Sequence, residues 1–177
     1  FVAQGSFDFR AFSVRPHSVA GLVGILTAPL LHGSPTHLAM NSIALLMLGT
    51  LAGGVYPRAT LRALPILWLL SGLGAWLLGD PGSHHLGASG VTHGLAFLVF
   101  TLGLLRRDRA AIAAGLLAFL FYGGMLMTIL PHADGVSWQS HMGGALGGVL
   151  AAFWFRQRWR EVIGLGPLPP IGWPWVV

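Results

Sequence analysis

The strongest constraint on this chain is a series of long apolar segments, separated by short connectors that carry proline, glycine or charge. A helix that crosses the hydrocarbon core of a bilayer needs about 20 mostly apolar residues at about 1.5 Å each. Five segments meet or approach this length: residues 36–55, 61–79, 89–105, 110–130 and 138–155. The sequence therefore predicts an all-α fold, a polytopic bundle of transmembrane helices.

The composition favours the same fold. Hydrophobic residues make up 54% of the chain and charged residues only 8%, whereas soluble domains carry about 25% charged residues. All ten basic residues are arginines, and they lie in short clusters between apolar segments. This pattern is typical of membrane topology and argues against a nucleic-acid partner. The lack of cysteine excludes disulfides and thiolate metal sites.

The chain divides into three regions by composition. Residues 1–35 are expected to form an outer-side loop, in which the 14 apolar residues 18–31 are too short to cross as a helix and instead dip into the membrane or pack beside the bundle. Residues 36–155 are the membrane core, and residues 156–177 are a cytoplasmic or interfacial tail. Eight arginines follow the first, third and fifth spans, so that side is taken as cytoplasmic, although Arg10 and Arg15 lie opposite.

Polar residues recur at one depth in three of the spans. The first span begins with His37 and Asn41, the third with Ser89 and the fifth near His141. Counted from the arginine that follows each span, Asn41, Ser89 and His141 lie 17, 17 and 15 residues away. A serine at a helix start is most often a cap, and a single histidine in a span is often a packing residue. Their common depth instead favours a functional site, since polar residues inside membranes are costly.

Small residues surround the serine and the last histidine. Ser89 follows Gly87 and precedes Gly90, where a loop becomes a helix whose free N–H groups suit a developing oxyanion. Gly90 and Gly94 are four residues apart, and so are Gly144 and Gly148; this spacing allows two helices to approach closely. If these two faces meet, Ser89 and His141 come within hydrogen-bond range.

Three motifs resemble those of rhomboid intramembrane proteases, in the same order and on alternate spans. They are His32-x4-His37-x3-Asn41, then Gly87-Ala88-Ser89-Gly90, then His141-Met142-Gly143-Gly144. The resemblance covers residues 32–155. It implies a six-span core, of which five spans are visible here, and the sixth is expected upstream of residue 1.

The resemblance also implies roles for the motif residues. Ser89 would be the nucleophile and His141 its general base, while Asn41 and His37 would hold the oxyanion with the backbone N–H of Ser89. His32 would have a structural role, holding the loop above the site. Members of this family are serine endopeptidases that cleave transmembrane or membrane-proximal segments of other proteins without a cofactor. The implied location is a bacterial inner membrane, with the site open to the periplasm.

His93 departs from the commoner family pattern, in which an aromatic residue four positions after the serine stacks on the catalytic histidine. The resulting Gly-x-Ser-Gly-x-x-His-Gly resembles the rhombosortase subgroup, which is linked to the processing of C-terminal sorting tails. We expect His93 to support His141 by stacking or hydrogen bonding. It is also a rival base, because it lies one helical turn from Ser89 on the same face.

Three other interpretations remain open from the sequence. A catalytically inactive rhomboid relative would bind and sort transmembrane clients. A metal or haem protein would have to use His37, His93 and His141 without cysteine, although the resemblance implies no metal. A small transporter is the third, but this chain lacks the paired charges at the middle of the bilayer and the internal repeat that a transporter would have. The sequence leaves the substrate and the oligomeric state undefined.

Overall fold

The structure is a computed structural model that describes residues 8–107, 109–121, 127–131 and 135–156. Within these ranges the regular structure is helical, and the only β pairing is an isolated bridge between Val14 and His85. The tail predicted for residues 156–177 lies outside the described residues, apart from its first residue.

Six α-helices follow one another along the described chain. They are α1 (Val23–Thr27), α2 (Pro35–Val55), α3 (Pro57–Leu78), α4 (Ser89–Arg106), α5 (Arg109–Phe121) and α6 (Trp138–Phe155). Short 3₁₀ turns occupy Phe9–Phe12, Val19–Gly21, Ala28–Leu30 and Met127–Ile129. The predicted all-α helical bundle is therefore confirmed.

Local sequence signals account for the helix boundaries. Ser34 caps α2, because its Oγ accepts the backbone N–H of His37 at 3.0 Å, and Pro35 fits the first turn, where no N–H is needed. Pro57 begins α3 in the same way, directly after α2. The α4 helix ends at Arg106, and the next residue, Arg107, caps it with a φ of 54° in the left-handed region.

Three helices of the described chain are long and apolar enough to cross a membrane, namely α2, α3 and α4. The α6 helix has 18 residues but begins with the polar side chains of Gln139, Ser140 and His141. The predicted fourth span, residues 110–130, is wrong at its end, because the described helix stops at residue 121 and Met127–Ile129 forms a separate 3₁₀ turn. Thr128 of this turn contacts His93 of α4 and His141 of α6.

The centre of the bundle is α4, with α6 packed between it and α3. Leu95, Leu98 and Leu102 of α4 are almost completely buried, as is Leu67 of α3. Between helices in lipid the hydrophobic effect contributes little, so close van der Waals packing has to stabilise the assembly. The α6 helix thus packs closely against both α4 and α3.

The apolar segment 18–31 lies against α3 rather than forming a span. Trp68 Nε1 of α3 donates to the carbonyl of Leu26 at 3.2 Å, and Trp76 Nε1 donates to that of Ser18 at 2.9 Å. These bonds satisfy indole N–H groups that would be costly to leave unpaired in an apolar environment.

The loop that leads into α4 is fixed from two sides. His85 exchanges both backbone hydrogen bonds with Val14, at 2.9 and 3.0 Å, and its Nδ1 lies 2.6 Å from Ser137 Oγ, next to the start of α6. Ser83 Oγ lies 2.9 Å from His85 Nε2. The position of Ser89 is therefore tied to both the N-terminal segment and α6.

Candidate active site

Ser89 is the first residue of α4, and its hydroxyl faces α6. The capping position is taken by Ala88, which has no side chain able to cap. Ser89 Oγ instead lies 2.8 Å from Nε2 of His141. Gly87, two residues earlier, has a φ of 109°, a conformation that side chains disfavour. The turn before the helix thus aims the serine at the histidine.

Glycines on both helices make this distance possible. A Cβ added to Gly144 would overlap the carbonyl of Gly90, and a Cβ added to Gly148 would overlap the carbonyl of Gly94. A Cβ at Gly90 would also collide with the Ser71 and Ser140 hydroxyls. The two small-residue faces therefore meet backbone to backbone, which brings Ser89 next to His141.

The second nitrogen of the His141 ring defines the tautomer. Its Nδ1 lies 3.0 Å from the backbone carbonyl oxygen of Thr128. A carbonyl can only accept, so Nδ1 carries the hydrogen and Nε2 presents a lone pair to the Ser89 hydroxyl. This is the tautomer that a general base for Ser89 requires.

His93 stacks on His141, with ring centroids 4.0 Å apart and planes inclined by 12°. Its Nδ1 lies 2.7 Å from the backbone carbonyl oxygen of Ser89, and its Nε2 lies 3.0 Å from Thr128 Oγ1. Both ring nitrogens therefore have partners other than the Ser89 hydroxyl. This geometry favours a supporting position for His93 over the alternative that it is the base.

Asn41 and His37 approach the site from α2. A Cβ added to Gly87 would lie 2.7 Å from His37 Nε2 and 3.2 Å from Asn41 Nδ2, so both side chains border the turn that precedes Ser89. Asn41 is only 6% exposed. Within the part of the chain that the structure describes, its Nδ2 has no hydrogen-bond partner. A buried donor of this kind is costly unless a ligand uses it.

His32 lies just before α2 and contacts His37 edge to face, with ring centroids 5.1 Å apart. Burial, and secondarily the neighbouring His37, lower the pKa of His32 below its usual value. The lowered pKa favours the neutral form of His32. His32 thus contacts His37, and His37 in turn borders the turn at Gly87.

Two features of the site were missed by the sequence reasoning. Thr128 contacts both histidines, but nothing in its local sequence distinguishes it, since one of its contacts uses a backbone carbonyl that every residue has. Ser71 and Ser140 share a buried hydrogen bond of 2.8 Å between α3 and α6. Within the described ranges, no group of three or more His, Asp or Glu side chains has the arrangement of a metal site.

Fold and site together define a polytopic helical membrane protein with a serine–histidine pair where two of its helices begin. A sequence profile of the rhomboid domain matches residues 20–158, most of the chain. The chain belongs to the rhomboid family and is an integral membrane protein.

Similar proteins occur in mycobacteria. Proteins of Mycobacterium bovis and Mycobacterium tuberculosis, both named as uncharacterized, are 41% identical over 148 residues, which is 79% of this chain and 62% of theirs. An uncharacterized protein of Mycobacterium leprae is 36% identical over 140 residues, 75% of this chain and 55% of its own. The matched part thus spans less than two thirds of these relatives. No solved structure matches the chain.

Proposed function

We propose that the protein is an intramembrane serine endopeptidase that hydrolyses peptide bonds in or near transmembrane segments of other proteins, with Ser89 and His141 as a catalytic dyad. The observation that carries this proposal is the 2.8 Å contact between Ser89 Oγ and His141 Nε2. It is supported by the Thr128 carbonyl, which leaves Nε2 free to accept the serine proton.

The acylation step follows from this geometry. Ser89 Oγ attacks the carbonyl carbon of the scissile bond while His141 Nε2 takes the hydroxyl proton, which forms a tetrahedral oxyanion. The imidazolium then donates that proton to the amine nitrogen, the C–N bond breaks, and an acyl-serine remains. In deacylation His141 takes a proton from water, the hydroxide attacks the ester carbon, and the proton returns to Ser89 as the ester bond breaks.

The developing oxyanion would be held by groups from two helices. The Ser89 backbone N–H at the start of α4 is one donor, and Asn41 Nδ2, which has no partner among the described residues, is the second. His37 would be the third, because the backbone N–H of Gly33 points to its Nδ1 at 3.4 Å, which favours the tautomer with hydrogen on Nε2. Preorganised donors of this kind are often the largest single contribution to catalysis.

The membrane setting defines the substrate class and location. The site lies at the start of helices α4 and α6, so a transmembrane or membrane-proximal segment is the substrate that fits, and the lipid bilayer is the second partner. The mycobacterial relatives support a bacterial inner membrane, and arginine placement supports an orientation with the site open to the periplasm. The histidine at position 93 supports assignment to the rhombosortase-like subgroup.

Labelling by a fluorophosphonate serine-hydrolase probe tests the proposal in detergent or liposomes. We expect the native protein to be labelled and Ser89→Ala and His141→Ala to lose labelling. Ser42→Ala is the matched control, since Ser42 is an exposed serine of α2; it should label as native does.

Two results would contradict an active serine at this position. Labelling that persists in Ser89→Ala would locate the reactive group elsewhere. A native protein that unfolds cooperatively on heating but takes up no probe would instead favour an inactive rhomboid relative that binds transmembrane clients.

A further inference from the structure

We infer that Thr128 is a positioning residue for the catalytic pair, an inference that rests on the proposed function. Four contacts form a closed ring that begins and ends at Ser89. Ser89 Oγ lies 2.8 Å from His141 Nε2, and His141 Nδ1 lies 3.0 Å from the Thr128 carbonyl oxygen. Thr128 Oγ1 lies 3.0 Å from His93 Nε2, and His93 Nδ1 lies 2.7 Å from the Ser89 carbonyl oxygen.

The donors and acceptors of this ring can all be assigned without conflict. Both carbonyls must accept, so Nδ1 of each histidine carries a hydrogen and each Nε2 presents a lone pair. The Ser89 hydroxyl then donates to His141, and the Thr128 hydroxyl donates to His93. Every bond thus runs in the same direction around the ring, so that each donor faces an acceptor and no two donors or two acceptors oppose each other.

Thr128 occupies the place that an acidic residue takes in a catalytic triad. The acidic side chains of the described chain, Asp8 and Asp80, are exposed, and Asp8 pairs with Arg10 at 2.9 Å. A backbone carbonyl orients His141 without burying a carboxylate, which would be costly inside a membrane. The 3₁₀ turn Met127–Ile129 presents this carbonyl, and Leu130 N closes the turn onto the Met127 carbonyl at 3.2 Å.

The hydroxyl of Thr128 acts on His141 through His93. Because it donates to His93 Nε2, it favours a neutral His93, whose ring is stacked 4.0 Å from that of His141. During acylation His141 becomes positive, and a second cation at that distance would oppose the change. Holding His93 neutral and fixed therefore favours the protonated base while keeping its ring oriented towards Ser89.

The test removes the hydroxyl and keeps the shape of the side chain. Thr128→Val should lower the limiting rate of fluorophosphonate labelling about 3- to 10-fold, the effect of one hydrogen bond, with the half-saturating probe concentration unchanged. Thr128→Ser retains the hydroxyl and should label at nearly the native rate. Thr50→Val is the matched control, because the Thr50 hydroxyl bonds only backbone carbonyls within α2.

A double-mutant cycle distinguishes positioning from a general packing role. His93→Phe keeps a stacked ring but removes both nitrogens, so adding Thr128→Val should cause no further loss. Independent losses that multiply in the double variant would overturn the inference, as would a native labelling rate in folded Thr128→Val. If Thr128→Val does not fold, the Thr128→Ala and Thr128→Ser pair provides the same comparison.

Failure of this inference can be told apart from failure of the proposed function. Equal labelling of native protein and Ser89→Ala, or no labelling of either, concerns the function itself. Labelling that requires Ser89 and His141 but ignores the Thr128 hydroxyl contradicts only the positioning role.

Discussion

The two sides of the bundle differ in how closely their helices pack. Between α4 and α6, glycines bring backbones into contact, and no Cβ fits at Gly90 or Gly144. Between α2 and α3, an apolar groove of about 1220 Å³ remains, and its lining includes Leu45, Gly49 and Gly53 of α2 and Trp68 of α3. A Cβ added at Gly49 or Gly53 would meet nothing within 4 Å.

The functional groups divide between these two sides in an informative way. The proposed nucleophile and base lie on the close-packed pair, where a shift of less than 1 Å would break their contact. The proposed oxyanion donors Asn41 and His37 lie on α2, which is loosely packed along the groove. Substitutions on the close-packed side should therefore lower stability and activity together, whereas loss of an oxyanion donor on α2 should lower activity alone.

The largest expected effect is a glycine substitution on the close-packed side. Gly144→Ala places a Cβ on the backbone of Gly90, which cannot rotate away, so α4 and α6 must separate. Overpacking of this kind typically costs about 1–3 kcal/mol, and we expect a large drop in the thermal unfolding temperature in detergent together with loss of probe labelling.

Gly53→Ala is the matched substitution on the open side. Alanine is better than glycine in a helix by about 0.5–1 kcal/mol, so this variant should unfold at the native temperature or slightly above it and keep its labelling. Equal destabilisation by both substitutions would mean that the two sides are packed alike, contrary to the comparison.

The close-packed side was also the part most predictable from sequence. Glycines four residues apart and single polar residues within apolar spans are local signals, so the meeting faces and the depth of Ser89 and His141 could be inferred. The end of the fourth predicted span could not, because the 3₁₀ turn Met127–Ile129 makes contacts through Thr128 that depend on the tertiary fold. A backbone carbonyl acting on His141 has no sequence signature at all.

Loss of an oxyanion donor on the α2 side should lower the rate while leaving the unfolding temperature nearly unchanged. Asn41→Ala should lower the rate of fluorophosphonate labelling about 100- to 1000-fold, the usual effect of losing one oxyanion donor. The unfolding temperature should change little, because Asn41 Nδ2 has no partner among the residues that the structure describes. The labelling rate and the unfolding temperature are measured on the same preparation.

Met40→Ala is the control for Asn41→Ala, since Met40 precedes it on α2 and is 58% exposed. It should leave the rate at the native value. A folded Asn41→Ala variant with the native labelling rate would exclude Asn41 from the oxyanion site and leave that role to His37 and the backbone.

The smallest expected effect concerns the loop that joins the two sides, through His85. Burial lowers the pKa of His85, opposed by the charge of Asp80 and assisted by His84. The unfolded chain therefore binds a proton more readily than the folded one, so the stabilisation is complete above the unfolded pKa of about 6.5 and is lost as the pH falls below it. The unfolding temperature should decrease between about pH 7 and pH 5.

His85→Gln removes this titrating group while keeping polar atoms near Ser83 and Ser137, the hydroxyl partners of His85. The decrease with acidification should become shallower in this variant, and the native and variant curves should differ by a constant amount above about pH 7. An unchanged slope would show that His85 binds its proton equally well in the folded and the unfolded chain, and that the loop before Ser89 is stabilised by its backbone bonds to Val14 rather than by burial of a neutral imidazole. In that event the loop before α4 would resemble the close-packed side, because both would be held by backbone contacts: Val14 with His85 in the loop, and Gly90 with Gly144 between α4 and α6.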